Sequence, residues 1–459
     1  MLRAFALVVI VAGSAAAATS GSVTFTKDVL PILQRNCQGC HRPGEVGPMP
    51  LETYQQARPW AKAIKDAVLE RKMPPWFADP HFGKFANDRS LRQADAETLV
   101  AWADHGAREG DGKDAPPPAH FVDGWNIGRP DVVYEMPTAY EIPASGTIDY
   151  QYLVIPTGFT QDKWIQMAEV RPGNRAVVHH VIAFIRPPGS HWLTDARPGI
   201  PFSPKASGHR GGEGRGGIRD TELLVGFAPG LQPTVLKAGQ AKLVKAGSDI
   251  VLQLHYTANG KAATDQTKIG VVFARAAPTE RIVTMNASNS KFIIPPGDAD
   301  YEVQSQVTFD EDVTLVEMMP HMHLRGKDFL YKVVYPTGES ETLLSVPDYS
   351  FSWQLGYTLA QPLAIPKGTR MECTAHFDNS LNNTANPNPN KEVRWGDQSW
   401  EEMMIGWFDV AIDAHADPGN ILRTAPARAA AEPAKGAPES SLQPGKQSAR
   451  SVLRAATEN

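Results

Sequence analysis

Cysteine is almost absent, with Cys37, Cys40 and Cys373 the only three in 459 residues. Stabilisation by a disulfide framework is thereby excluded. Long hydrophobic runs are missing too. The apolar stretch from Ala4 to Gly13 is about half of the ~20 residues needed to cross a bilayer, and no later stretch is long enough. Neither sign of charge dominates: 45 Lys and Arg against 50 Asp and Glu leave a formal charge of −5. Such a balance creates no field that would gather nucleic acid or an anionic membrane. We therefore expect no nucleic acid partner and no membrane span.

What is present begins with an export signal. Residues 1–18 combine Arg3, the apolar run and the small residues Ser14 to Ala18, which suit signal-peptidase cleavage. The mature chain is expected to be periplasmic or secreted. Its length allows two or three cores, because domains usually run to about 100–200 residues.

Texture divides the chain. Over 22–112 apolar residues recur at helical spacing, as in Ala61 to Lys72 and Ala94 to Gly106, which predicts a small α domain. The charged, proline-rich stretch 113–120 reads as an extended linker. From 121 the chain turns to short runs rich in β-branched and aromatic residues, such as Ala176 to Ile185, Ile250 to Thr257 and Arg370 to Phe377. Two all-β antiparallel sandwich domains are expected, over 121–285 and 286–415. The glycine-rich stretch 207–220 reads as a long loop, and 416–459, dominated by Ala, Pro, Ser, Lys and Arg, as a disordered tail.

Cys37-Gln38-Gly39-Cys40-His41 has the spacing in which two thiols bond covalently to haem vinyl groups and the next histidine ligates the iron. One haem c is expected there, making 22–112 a cytochrome c domain. A Cys-x-x-Cys redox pair would not need His41, and a zinc site would need further ligands nearby. For the second iron ligand Met73, followed by two prolines that pin an extended loop, is preferred to Met49. His81 and His105 are remote alternatives.

Five of the thirteen histidines fall in three strand-like runs: His179 and His180, His255, and His321 with His323. Two histidines separated by one residue share a strand face and can hold one metal together. Adjacent His179 and His180 point to opposite faces, so a joint site with His255 requires different ring nitrogens or a local backbone twist. Imidazole with thioether suits copper better than magnesium or calcium, with zinc open on ligand type alone.

Over roughly 145–412 these residues resemble the copper type II, ascorbate-dependent monooxygenases, the family of peptidylglycine α-hydroxylating monooxygenase and dopamine β-monooxygenase. The resemblance rests on VHHV (His179, His180), LQLHYT (His255), HMHLRG (His321, His323) and EEMMIGWF (Glu401 to Phe408), the last similar to a family segment that supplies a methionine ligand. It implies two jelly-roll-like sandwiches facing each other across a solvent-filled cleft. An electron-storing copper would sit on His179, His180 and His255, and an O2-binding copper on His321, His323 and Met403.

The implied activity is hydroxylation of a C–H bond with O2, the haem relaying electrons from a periplasmic donor or ascorbate-like reductant. Gln253, two residues before His255, is a candidate catalytic residue that would orient water. The family disulfide is missing, because Met404 stands at one of its cysteines, leaving Cys373 a free thiol. Met319 and Trp407 stand where the peptide enzyme binds a carboxylate, so an apolar or aromatic small molecule is the expected substrate. Two rival expectations are a non-catalytic haem and copper electron-transfer or copper-binding protein, and a dehydrogenase-like reading in which a substrate is oxidised and electrons leave through the haem.

Overall fold

The computed structural model describes residues 23–122, 124–203 and 222–424. The expected export signal and the stretch expected to form a glycine-rich loop lie outside the described residues, as does the chain from 425 onward.

Among the described residues the α-helices are confined to the first part: Leu30–Asn36, Tyr54–Ala57, Ala61–Leu69 and Gln93–Asp104. Their inward faces meet in one core of Phe25, Val29, Leu33, Leu99 and Trp102. The Tyr54–Ala57 turn starts on a capping box, Thr53 accepting from the Gln56 backbone while Gln56 reaches back. The expected linker is tied rather than loose at its start. Gly112–Asp114 forms a 3₁₀ turn, and Gln34 donates to the Pro117 carbonyl at 2.9 Å.

The rest is β. A nine-stranded sheet runs from Val132–Glu135 at one edge to Tyr357–Ile365 at the other. Its two halves join through a short parallel pairing of Glu280 and Arg281 with Gln240 and Ala241. On one half packs a four-stranded sheet, Gln151–Pro156, Asp249–Tyr256, Val178–Arg186 and Glu222–Phe227, around a core that includes Leu153, Val181, Leu252 and Val271. On the other half packs a five-stranded sheet around Val307, Leu315, Phe329, Met371 and Phe408. Two packed antiparallel layers, twice over, form β-sandwiches.

Two boundaries differ from expectation. Strand Glu280–Ser288 pairs with Ile405–Asp413, and Val283 and Ala287 join the second core, so the second sandwich takes up the chain from 280. Residues 416–424 are not a disordered tail: strand Leu422–Thr424 pairs with Tyr301–Phe309, and Ile421 is buried. Ile421 and Leu422 pack on the second core while the backbone pairs with an open sheet edge, which orders this short segment.

The helical part is bound to the second sandwich. Between the last two helices the chain adds to the edge strand Tyr357–Ile365: Ala86 donates to the Thr358 carbonyl and Ala360 to that of Lys84, each at 2.8 Å. Trp76 and Phe85 pack on the second core, with the Trp76 ring 4.9 Å from that of Tyr357. An otherwise open sheet edge is thereby covered.

Candidate functional site

Strand alternation decides what faces the site. On Asp249–Tyr256, Ile250, Leu252, Leu254 and Tyr256 enter the first core, so Gln253 and His255 face outward. On Val178–Arg186, Val181, Ala183 and Ile185 face in, so His180 and Ile182 face out. His180 and His255 are cross-strand partners.

His179 would point into the core of a regular strand. The register shifts just there: Val178 faces Tyr256 and His180 faces His255, so two steps on one strand match one on its neighbour. This β-bulge makes His179 the extra residue and turns it to the outer face. Ring centroids of His179 and His180 lie 4.8 and 5.0 Å from that of His255. One ring nitrogen from each of the three residues falls within 4.8 Å of the others.

Two of the three rings carry a buried nitrogen with no partner among the described residues. His180 Nε2 and His255 Nδ1 are buried without a hydrogen bond, and the Nδ1 atoms of His179 and His180 face each other at 3.4 Å. Burial holds His179 down at about 4 and His255 at about 3, and pushes His180 well below the usual histidine range. Three neutral imidazoles, each with a ring nitrogen within 4.8 Å of the others, fit a metal ion.

The second set sits across the way. After a bulge between Leu315 and Glu317, strand Val313–His321 sends Met318 and then Met322 into the second core, while Met319 and His321 face out. His323 follows just past the strand end. His321 Nδ1 donates to Gln354 Oε1 at 3.0 Å and His323 Nδ1 to the Glu401 carbonyl at 3.1 Å. Gln354 is itself oriented by its Nε2, which donates to the Phe351 carbonyl at 2.9 Å. Each ring thus carries its proton on Nδ1 and its lone pair on Nε2, the arrangement that outer hydrogen bonds impose on metal-binding histidines. Burial lowers the pKa of both.

Met403 and Met404 go opposite ways. Met404, Phe408 and Val410 belong to the second core, whereas Met403, Ile405 and Trp407 form an outward apolar cluster with Met319 and Trp395. Cys373 is a free buried thiol in that same core, its Sγ pressed against Gly406 where a Cβ would lie 2.6 Å away. Burial pushes its pKa up.

One cavity of about 40 Å³ is lined from both sides, by His180, Gln253, Ile182 and Phe227 and by His321, His323, Met403 and Trp407. That is room for one or two water molecules. No charged side chain is among its lining residues, and Met319 and Trp407 are cross-strand partners on its wall. Gln253 Nε2 donates to the Tyr152 hydroxyl at 2.6 Å. His180 of the first set and His321 and His323 of the second thus share one small cavity, where the resemblance implied a solvent-filled cleft.

The CQGCH segment folds as a tight turn at the end of Leu30–Asn36, with the Cys40 and His41 N–H groups donating to the Cys37 carbonyl at 3.0 and 2.9 Å. His41 Nδ1 donates to the Met49 carbonyl at 3.1 Å, leaving the lone pair on Nε2. A Cβ at Gly47 would lie 2.7 Å from His41 Nδ1 and from the Cys40 carbonyl, so only glycine fits there. Both thiols are half-buried and unpaired; burial pushes Cys37 up to about 12 and raises Cys40. Two adjacent unpaired thiols and an oriented imidazole fit covalent haem attachment.

Met49, besides holding His41 through its carbonyl, packs on the helical core, whereas Met73 is half-buried after Ala61–Leu69 and outside that core. His81 is exposed and paired with Asp79 at 2.6 Å, and His105 is exposed. Glu45, in the turn after His41, forms an ion pair with Arg175, four residues before His179.

Sequence reasoning did not find Phe351, Gln354 or Glu402. Gln354 lies 33 residues from His321 with no local pattern to mark it, and Phe351 is in a loop. Glu402 stands in the EEMM segment beside Met403, which is the one available signal.

No protein-family profile matches the chain, and no curated protein matches it. Among solved structures it is similar to the VP2 subviral particle of infectious bursal disease virus, at 12% identity over 67% of this chain and 77% of that one, with a TM-score of 0.17. It is also similar to PNGF-II, at 9% identity over 61% of this chain and 59% of that one, with a TM-score of 0.21. At such scores neither likeness bears on fold or function.

Proposed function

We propose that this chain is an exported haem- and copper-dependent monooxygenase that hydroxylates a C–H bond of a small uncharged molecule with O2. The observation that carries the reading is one uncharged cavity with His180 on one side and His321, His323 and Met403 on the other, His180 being clustered with His179, turned outward by a bulge, and with His255. Copper bound at these groups supplies one-electron redox chemistry toward O2, and haem c on Cys37, Cys40, His41 and Met73 supplies a one-electron store fed by a periplasmic donor.

His179, His180 and His255 would hold one ion through nitrogen alone. His321, His323 and the soft thioether of Met403 would hold the other and favour its reduced form. Gln354 and the Glu401 carbonyl keep the imidazoles of His321 and His323 in the metal-binding tautomer. Gln253, held by Tyr152, orients a polar group at the cavity wall. Met319 and Trp407 present no charge to a substrate carboxylate, which favours an apolar or aromatic molecule. The helical part in this reading is a cytochrome c module. Its ion pair from Glu45 to Arg175 supports an electron inlet on the His179 side.

Metal analysis with product analysis tests the proposal. About two coppers and one haem per chain are expected, with substrate-dependent O2 uptake and a hydroxylated product whose oxygen comes from labelled O2. A chain that takes up no copper, or takes it up and yields no oxygenated product from a panel of small apolar molecules, overturns it.

A further inference from the structure

Phe351 lies in the connection before strand Tyr357–Ile365, far in sequence from every histidine of the first set. Its ring nevertheless touches histidines of both. It stacks on His179 at 5.1 Å with an interplanar angle of 18° and lies 6.5 Å from His255. It meets His323 edge-on at 5.7 Å and 74°. Among the described residues the other ring contacts of these imidazoles stay within one set: His179, His180 and His255 with one another, Tyr150 with His180 and His255, and His321 with His323 at 5.2 Å.

The loop that carries Phe351 is tied to the His-x-His segment at two points. Tyr349 donates its hydroxyl to the Met322 carbonyl at 2.7 Å, and Gln354 accepts from His321 while donating to the Phe351 carbonyl. The ring position is therefore set by the same hydrogen bonds that orient His321. Phenyl has no lone pair for a metal and no hydrogen-bond donor for water. A ring of this kind, wedged between two sets of metal-binding nitrogens, can only separate them.

We propose that Phe351 is a spacer: its ring, between His179 and His323, keeps the two imidazole sets from closing on a shared or bridged ion, so that each holds its own. This rests on the copper reading above. Nitrogen-to-metal bonds are short, about 2 Å for a comparable ion, and the sets face each other on one side across a cavity of only about 40 Å³. With the phenyl removed, the space between His179 and His323 is open, and movement of either ring into it would bring ligands of both sets toward one ion.

The test is a Cu(II) titration of the full-length, haem-loaded chain read by electron paramagnetic resonance, with the ferric haem signal as internal standard. In the native chain two copper spins per haem are expected, each with resolved hyperfine lines. Phe351→Ala is expected to lose half or more of the copper spin intensity at two equivalents, or to saturate at one. Phe351→Leu should retain two spins and Phe351→Val should broaden them, a graded series that stands even if one variant does not fold. Two resolved spins of unchanged line shape in every folded variant overturn the spacer and leave the copper reading intact. A native chain that binds no copper overturns both.

Discussion

Glu402 accepts the backbone N–H of His323 at 2.9 Å, and its other oxygen accepts that of Arg325 at 2.7 Å. Because Glu402 precedes Met403 in the chain, one carboxyl fixes the register between the His-x-His segment and the thioether. Arg325 completes the clamp, its guanidinium 3.8 Å from Glu402 and bonded to Asn379 and the Trp400 carbonyl at 2.8 and 3.0 Å. Burial pushes the Glu402 carboxyl up to about 8, against the pull of these donors.

Glu402→Ala leaves two buried N–H groups without an acceptor, at a cost of about 1–3 kcal/mol each. Copper affinity at His321, His323 and Met403 is expected to fall roughly 10–100-fold, as for other outer hydrogen-bond partners of metal ligands. Affinity at the three-histidine set should be unchanged. Competitive copper titration against chelators of graded strength separates the two, and equal weakening of both sites would refute the clamp.

His255→Ala and His321→Ala should each lower bound copper from two ions to one, with the haem absorbance unaltered. Each removes a ligand from one set only, since the sets are built on different sheets. Metal analysis beside the haem spectrum is the check. Loss of both coppers from either variant would point to a single joint site.

The legible part of this architecture is what strand alternation encodes locally. His321 and His323 share a face by spacing alone, and the apolar runs around His180 and His255 mark buried strands. What escapes the sequence is set by partners distant along the chain. Whether His179 joins His180 depends on a bulge, and a bulge is a property of two strands. The choice between Met403 and Met404 rests on the resemblance alone, since the face of Ile405–Asp413 that meets the core is set by tertiary packing. Phe351 and Gln354 reach the site from a loop with no periodicity. The docking of 84–87 on a sheet edge is also invisible, because nothing local marks a loop as a strand-in-waiting.

That docking has a consequence for the linker. Asn87 donates to the Gly356 carbonyl and accepts from Thr358, adding to the two backbone bonds and to the Trp76 and Phe85 rings. A protease site placed within 113–120 should therefore give two fragments that still co-elute on gel filtration after cutting. Trp76→Ala with Phe85→Ala removes the aromatic anchors, each about 2 kcal/mol or more, and should release them. Separation of the unmutated fragments would mean that the linker alone holds the helical part in place.

Glu317 gives the molecule a pH dependence away from the metal ligands. Its carboxyl accepts from the Thr358 hydroxyl at 2.7 Å in a buried patch with Asp409 and Lys242, whose charges are 3.7 Å apart. Burial first, then the Asp409 charge, pushes it up to about 7. A raised acid binds its proton more tightly in the folded than in the unfolded chain. Its contribution is present in full below the unfolded value of about 4.3, fades as pH rises, and is gone above about 7. Glu317→Gln, which keeps the shape without the ionisation, should flatten that part of the profile. It should also be more stable than the native chain at pH 8, by about 1–3 kcal/mol. Urea denaturation at pH 5 and pH 8 reads the difference directly, and a Gln variant with the same slope between the two would place the titrating group elsewhere.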